Sequence, residues 1–331
     1  MSLIFIFLDG VGLAPAGPDN PLTTADTPVL RALLGGPLVA GSARARDGLL
    51  LKGIDATLGV PGLPQSGTGQ TALLAGVNAA ALHGRHQPHS PPVALRPLLA
   101  ERSVLRRVVA RGGRATFANA FGPSYWDAVA TRRIRRSASV IAAEGAGLRF
   151  RDMDDLRAGR ALAWDVTGAA LREREPGTGL PLFTPHEAGA NLVRLAMDND
   201  LVFYESFLPD LAGHGRLTDD GRRTTGEQRG RDNTRHATRN TRRTDQRSID
   251  EQIHLVMQLL DRLIGGALAA LRPDDSLLIS SDHGNVESWA APAHTRNPVP
   301  LLVVGPAAGA FVGVESIADV ADAIMHAIGI W

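Results

Sequence analysis

Three short apolar runs in this chain each lead to an aspartate, and that pattern restricts the available folds more than any other feature. Leu3–Leu8 runs into Asp9, the stretch LVFYESF from Leu201 precedes Asp210, and Leu277–Ser280 leads to Asp282 and His283. Apolar runs of this length read as buried strands. Acidic groups past their carboxyl ends stand where open α/β sheets place ligands. Ala115–Ala118 and Leu301–Val304 are further runs of the same kind, and helical patterns lie between them. In the clearest one, Ile249, Ile253, Val256, Leu260, Leu263, Ala267 and Leu271 recur in steps of three and four, which keeps one apolar stripe on a core. Others cover Pro97–Arg111, Pro185–Met197 with Thr184 as N-cap, and Ile317–Ile328. The alternation predicts an α/β fold, a mostly parallel sheet flanked by helices.

Composition narrows the function. With 331 residues, 44% of them hydrophobic, the chain can bury a sizeable core. A formal charge of +1 gives no global field that argues for nucleic acid or a membrane as partner. Its 35 basic residues include a single lysine, Lys52, so lysine is removed from most catalytic roles. The absence of cysteine excludes disulfides and thiolate metal sites. Leu3–Leu8 is too short for a membrane span or a signal segment, and the expectation is a cytoplasmic protein. Two segments break the strand–helix rhythm. Residues 122–181, with the basic run Arg132–Arg136, read as a small inserted cap, leaving 1–121 and 182–331 as the catalytic core. Residues 216–247 are rich in Arg, Thr, Asp and Gly and nearly devoid of large apolar side chains, so a mobile surface loop is expected there.

Asp210 and His214 are four apart, and on a helical turn both side chains point the same way and can share a cation. Asp282 and His283 are adjacent, which suits a tight turn. His294 lies in HTRNPVP, a loop stiffened by Pro298 and Pro300. Ser66 lies in LPQSGTGQTALLAG, a glycine-containing turn opening into an apolar helix whose N-terminus favours a phosphate or an alkoxide. Thr68 is the competing hydroxyl. Singly, such residues are ordinary caps, turns or packed imidazoles. Together, three Asp, three His and one hydroxyl make a ligand set for two divalent ions with a nucleophile between them. Carboxylate and imidazole ligands without thiolates suit Zn²⁺ or Mn²⁺, with Mg²⁺ an option at the more oxygen-rich position. Two such ions clamp the oxygens of an in-line phosphoryl displacement. Acyl transfer fits less well, because no Ser-His-Asp order or oxyanion signature stands out.

These residues resemble the alkaline phosphatase superfamily, in the branch containing cofactor-independent phosphoglycerate mutase and phosphopentomutase. The resemblance is carried by Asp9-Gly10, the Ser66 turn, Asp210-xxx-His214-Gly215, Asp282-His283-Gly284-Asn285 and HTRNPVP, with DNPLTTADTPVL (Asp19–Leu30) in support. It covers roughly 1–82 and 185–331 apart from the Arg-rich insertion. It implies one metal held by Asp210, His214 and His294, and a second held by Asp9, Asp282, His283 and the Ser66 oxygen. Ser66 would then take the phosphoryl group as a covalent intermediate.

The chain also departs from that branch. Gln70 stands where the mutases have histidine, Lys52 matches no lysine of their metal domain, and most of their substrate-binding cap is missing. A mutase must hold its dephosphorylated intermediate, and a reduced cap lets water compete. The expectation is therefore a hydrolase of a small phosphomonoester. A phosphomutase is the alternative, and a metal-binding sensor of a phospholigand without turnover is a third reading. A sulfatase is disfavoured, since the Ser66 turn lacks the Cys/Ser-x-Pro-x-Arg pattern. Asn20, Arg85, the histidines of HGRHQPH and the arginines of Arg132–Arg136 are the substrate-binding candidates.

Overall fold

The computed structural model describes residues 1–217, 239–289 and 293–330; the loop expected at 216–247 lies mostly outside them, and its last part, from Arg239, is helical and not a loop. Seven strands form one sheet: β1 (Leu3–Leu8), β2 (Arg44–Arg46), β3 (Leu49–Ile54), β4 (Ala115–Phe117), β5 (Leu201–Ser206), β6 (Ser276–Ser280) and β7 (Val299–Val304). Their order is β2-β3-β7-β6-β1-β5-β4. β6, β1, β5 and β4 run parallel, as their apolar character predicts. β7 runs antiparallel to β6 and to β3, so the sheet is mixed. Among the described residues, no crossover helix lies between Ser280 and Val299, so the chain re-enters the sheet from the end at which it left. The β2–β3 hairpin is absent from the sequence expectation, although its two-residue Asp47-Gly48 turn, with Gly48 at φ 68°, is a recognisable hairpin signal.

Alternation along the strands divides the core into two layers. Leu3, Phe5 and Phe7 of β1 face one helical layer: α2 (Ser66–Ala75), α3 (Arg96–Arg102), α4 (Val104–Ala110), α5 (Ala138–Gly145) and α9 (Val320–Ala327). Phe5 and Phe117 meet Phe203 on this face at ring distances of 5.3 and 5.5 Å. Ile4, Ile6 and Leu8 face α1 (Pro28–Leu34), α6 (Pro185–Arg194) and α8 (Arg239–Ala270); α7 (Leu208–Gly213) follows β5. The expected stripe of α8 is present, with Ile253, Val256, Leu260, Leu263 and Ala267 all buried. Its Ile249–Ala270 part is apolar enough by composition to cross a membrane, but the stripe packs on the sheet as a core helix does.

Local signals set the helix ends. Thr184 caps α6 in a capping box with Glu187. The helix expected over Pro97–Arg111 is two helices, because Ser103 turns to ψ 147° and its hydroxyl accepts from Arg106 N. Within 122–181, α5 is buried in the core layer, while Leu156, Ala161, Ala163, Leu171 and Leu180 form a small cluster of their own with Ala120. Asp261 of α8 reaches across to α1, where its carboxylate accepts from Val29 N at 3.0 Å and Leu30 N at 2.8 Å. This replaces the cap that Thr27 does not supply.

Glu205, near the end of β5, is a buried acid that accepts from the Ser139 hydroxyl of α5. Burial is the main cause that pushes its carboxyl up to about 8, against the Ser139 and Ser137 hydrogen bonds and with the charge of Asp282. A folded-state value above the unfolded one means that the native protein holds a proton the unfolded chain releases. Stability from this group is therefore complete below about 4.5 and is lost as pH rises through about 8. Glu205→Gln should flatten that decline, which is at most ~1.4 kcal/mol per pH unit, in urea unfolding between pH 5 and 9. Asp261→Ala should cost ~1–3 kcal/mol in the same assay, since it leaves two helix N–H groups without a partner.

Candidate metal centre

The register of the three central strands gathers the site. Leu8 of β1 pairs with Ser206 of β5 and Phe7 with Ser280 of β6, so Asp9, Asp210 and Asp282 leave neighbouring strand ends on one side of the sheet. The backbone continues the contact, as Asp9 N donates to Ser206 O and Asp210 N to Asp9 O, both at 3.0 Å. Gly10 makes this approach possible. It has φ +81°, and a Cβ there would stand 3.0 Å from Asp210 Cα and Cβ.

Two ligand groups result. Asp210, on the first turn of α7, has Oδ1 3.3 Å from His214 Nε2 and 3.4 Å from His294 Nε2, and the two ring nitrogens are 3.3 Å apart. Such separations match the edges of a tetrahedron around an ion with ligands at ~2.0–2.1 Å. His294 Nδ1 lies 2.9 Å from Pro64 O. A carbonyl only accepts, so Nδ1 carries the proton and Nε2 offers its lone pair to the cluster. The second group is Asp9, Asp210 and His283, whose ligand atoms lie within 4.8 Å of one another. His283 Nε2 is 3.1 Å from Asp9 Oδ1, 3.0 Å from Ser66 Oγ and 3.7 Å from Asp282 Oδ2. The Asp9 contact has an ion-pair distance without hydrogen-bond geometry, and Asp9 Oδ1 is otherwise unpartnered. The His283 and His294 rings stack with centroids 3.7 Å apart, which joins the two groups.

All seven residues singled out as ligands or nucleophile thus come together. Ser66 is the first residue of α2, with Gln65 as N-cap, and its hydroxyl points at His283. Thr68 is turned away, donating to Gln65 O and accepting from Gln87 N. The substrate candidates fare differently. Asn20 is buried and caps its own loop, accepting from Leu22 N and donating to Ala14 O and Pro15 O, so a loop-holding role replaces the substrate contact expected of it. Arg85 is exposed beyond the helix that follows α2. Of the cap arginines, Arg136 pairs with Glu144. Two supporting contacts were not foreseen. Gln70 Nε2, one turn after Ser66, donates to Asp9 Oδ2 at 3.1 Å, and Asn285 Nδ2 donates to Asp210 Oδ1 at 2.8 Å.

The electrostatics fit divalent cations. Asp282 is wholly buried, and neither of its oxygens has a hydrogen-bond partner. Leaving such a group uncompensated is costly. Burial pushes the Asp9 carboxyl well above its usual range, and the charges of Asp282 and Asp210 add to this. Burial likewise raises Asp282. Burial opposes ionisation of Asp210 too, yet the His214 and His294 nitrogens beside it hold its carboxyl below the usual range. Burial also disfavours a charged His283, but Asp282, Asp9 and Asp210 outweigh it and push the imidazole up to about 10. The cluster therefore draws in positive charge. Orphaned carboxylate oxygens and converging ring nitrogens are a donor set suited to divalent cations.

Comparison with known proteins agrees with this chemistry. A family model described as the metalloenzyme superfamily matches residues 238–330, the segment that carries Asp282, His283 and His294. A phosphopentomutase of Chromohalobacter salexigens is 45% identical over 49 residues, which are 15% of this chain and 12% of that protein. A 2,3-bisphosphoglycerate-independent phosphoglycerate mutase of Cereibacter sphaeroides is 35% identical over 79 residues, 22% of this chain and 16% of that protein. The matches thus span only a small part of these relatives' length. The PH0037 protein of Pyrococcus horikoshii has a related fold, with a TM-score of 0.52 and 14% identity over 100% of this chain and 97% of its own. Members of the superfamily are metal-dependent phosphoryl-transfer enzymes that use divalent ions. The chain is thus similar to the metalloenzyme superfamily over residues 238–330, and the seven candidate site residues stand in the order that the resemblance implies.

Proposed function

We propose that this protein is a two-metal phosphomonoester hydrolase that acts through a phosphoserine at Ser66. The observation that carries the reading is the placement of the Ser66 hydroxyl 3.0 Å from His283 Nε2, beside two ligand groups that share Asp210. Asp210, His214 and His294 would hold one ion, and Asp9, Asp282, His283 and the Ser66 oxygen the other, with Mn²⁺ or Zn²⁺ favoured by the donors and Mg²⁺ an option. Such ions lower the pKa of a bound hydroxyl and neutralise the charge of a transferring phosphoryl group.

The residues of the chain do the rest. Ser66 Oγ, freed of its proton, forms a bond to phosphorus, and the ester P–O bond breaks with the leaving alcohol taking up a proton. Water then attacks the phosphoserine, the P–Oγ bond breaks, and Ser66 recovers its proton. As the first residue of α2, Ser66 sits where the helix dipole favours the negative charge that gathers on the phosphoryl oxygens. Gln70 holds Asp9, and Pro64 fixes the His294 ring.

Two observations favour hydrolysis. The stretch at 122–181 gives its most apolar helix, α5, to the core layer, which leaves less of it to enclose a substrate. The side chains of Asp210 and His214 keep 16% and 18% of their surface exposed, so water reaches that edge of the site. A phosphomutase is the second reading, favoured by the segments shared with two mutases. A panel of small phosphomonoesters with Mn²⁺, Zn²⁺ and Mg²⁺ separates them. The hydrolase reading expects metal-dependent phosphate release, abolished by at least ~10³-fold in Ser66→Ala with bound metal retained. Transfer within one substrate without release would mark a mutase. Release that survives in Ser66→Ala would overturn the phosphoserine.

A further inference from the structure

Glu287 has no exposed surface, and the chemistry above does not use it. Four donors from three loops converge on its carboxylate. Oε2 accepts from Gly12 N at 3.0 Å and Asn285 N at 2.8 Å; Oε1 accepts from Asn297 Nδ2 at 3.0 Å and from the Thr295 hydroxyl. Each loop carries part of the site. Gly12 follows Asp9, Asn285 follows Asp282 and His283 and itself donates to Asp210, and Thr295 adjoins His294. The space is cut to the carboxylate, for a Cβ on either Gly12 or Gly284 would overlap it. Among the described residues these loops are also tied by Val11 N to Ser281 Oγ, Val286 N to Gly10 O, Leu13 N to Pro298 O, Trp289 to Pro18 O and Asp19 O, and the Gly284–Thr295 bridge, but only Glu287 joins all three at one point.

We infer that Glu287 is a positioning residue for the metal ligands, a buried acceptor that locks three ligand loops so that Asp9, Asp282, His283 and His294 converge. The inference rests on the two-metal reading. A carboxylate suits this place because all four lines of approach come from donors, and each oxygen accepts two. Glutamine has the same shape, but its NH₂ would either face the backbone N–H groups of Gly12 and Asn285, which cannot turn, or require the Thr295 hydroxyl and the Asn297 amide both to reverse and accept. Either the Gly12–Asn285 pair would be forced away or the Thr295 and Asn297 side chains would have to turn from their present positions. The sheet makes no use of these bonds, so the damage falls on ligand geometry. Outer partners of metal ligands typically govern affinity by ~10–100-fold.

Calorimetric titration of the full chain with Zn²⁺ tests this, using wild type, Glu287→Gln and Asp261→Asn, the last being a buried carboxylate remote from the site. The inference expects Glu287→Gln to keep its far-UV circular dichroism and to bind at least one ion ~10–100-fold more weakly. Asp261→Asn should lower Tm and leave affinity unchanged. Glu287→Gln binding within ~2-fold of wild type would overturn the inference, as would an equal loss in Asp261→Asn, which marks a general effect of stability. Should Glu287→Gln not fold, Asn297→Ala removes a single donor at a half-buried position and should weaken binding by ~3-fold or more; unchanged affinity there would overturn the inference too. Wild type that takes up no Zn²⁺ would defeat the two-metal reading itself, a failure visible before any variant is compared.

Discussion

Everything in this molecule turns on keeping three carboxylates close together and largely out of water. Asp9 and Asp282 are buried, and Asp210 is nearly so. Like charges at such distances oppose one another strongly in a medium of low polarity. The chain compensates in part with His214, His283 and His294 and with donors from Gln70 and Asn285. Asp282 receives none of these hydrogen bonds. A fold that retains this arrangement is arranged for cations, and the arrangement makes sense as a site rather than as a source of stability.

The sheet supplies the rigidity. β1 lies between β5 and β6 in parallel register, so three strand ends fall side by side and each delivers an acid to the same place. Both faces of these strands are packed by helices, which fixes the ends to within the tolerance a metal site requires. α2 enters on one face, bringing Ser66 and Gln70 one turn apart, the first with its hydroxyl beside His283 and the second as a support for Asp9. The loop after β7's partner strand returns with His294, and Pro64 in the segment before α2 holds the ring. Ser66 and the acids and histidines of the site therefore constrain one another through contacts at these strand ends.

What the sequence discloses is what local chemistry dictates. Apolar runs ending in acids identify β1, β5 and β6, and the i, i+4 spacing of Asp210 and His214 places both on one side of a turn. The period of α8 is equally plain, because its stripe is the only means of burying that helix. The direction of β7 is not legible, since it depends on whether a crossover helix intervenes, and nothing in Val299–Val304 records that. Asn20 looks like a ligand contact and is a loop clamp, because a short amide serves either purpose and only the neighbouring carbonyls decide. Nothing in the residues around Glu287 marks it as buried. Its burial becomes visible only when Gly12, Asn285, Thr295 and Asn297, from distant parts of the chain, are seen to point at it.

The central claim is that two neighbouring ligand groups, one built on Asp210 and the other on Asp9 and His283, each hold a divalent ion. The most direct test is anomalous diffraction from crystals grown with Mn²⁺ or Zn²⁺, collected on either side of the metal's absorption edge. The account predicts two anomalous peaks in each molecule, one among Asp210, His214 and His294 and one among Asp9, Asp282, His283 and the Ser66 oxygen. Absence of density at both positions, or ions bound only elsewhere on the surface, would contradict it.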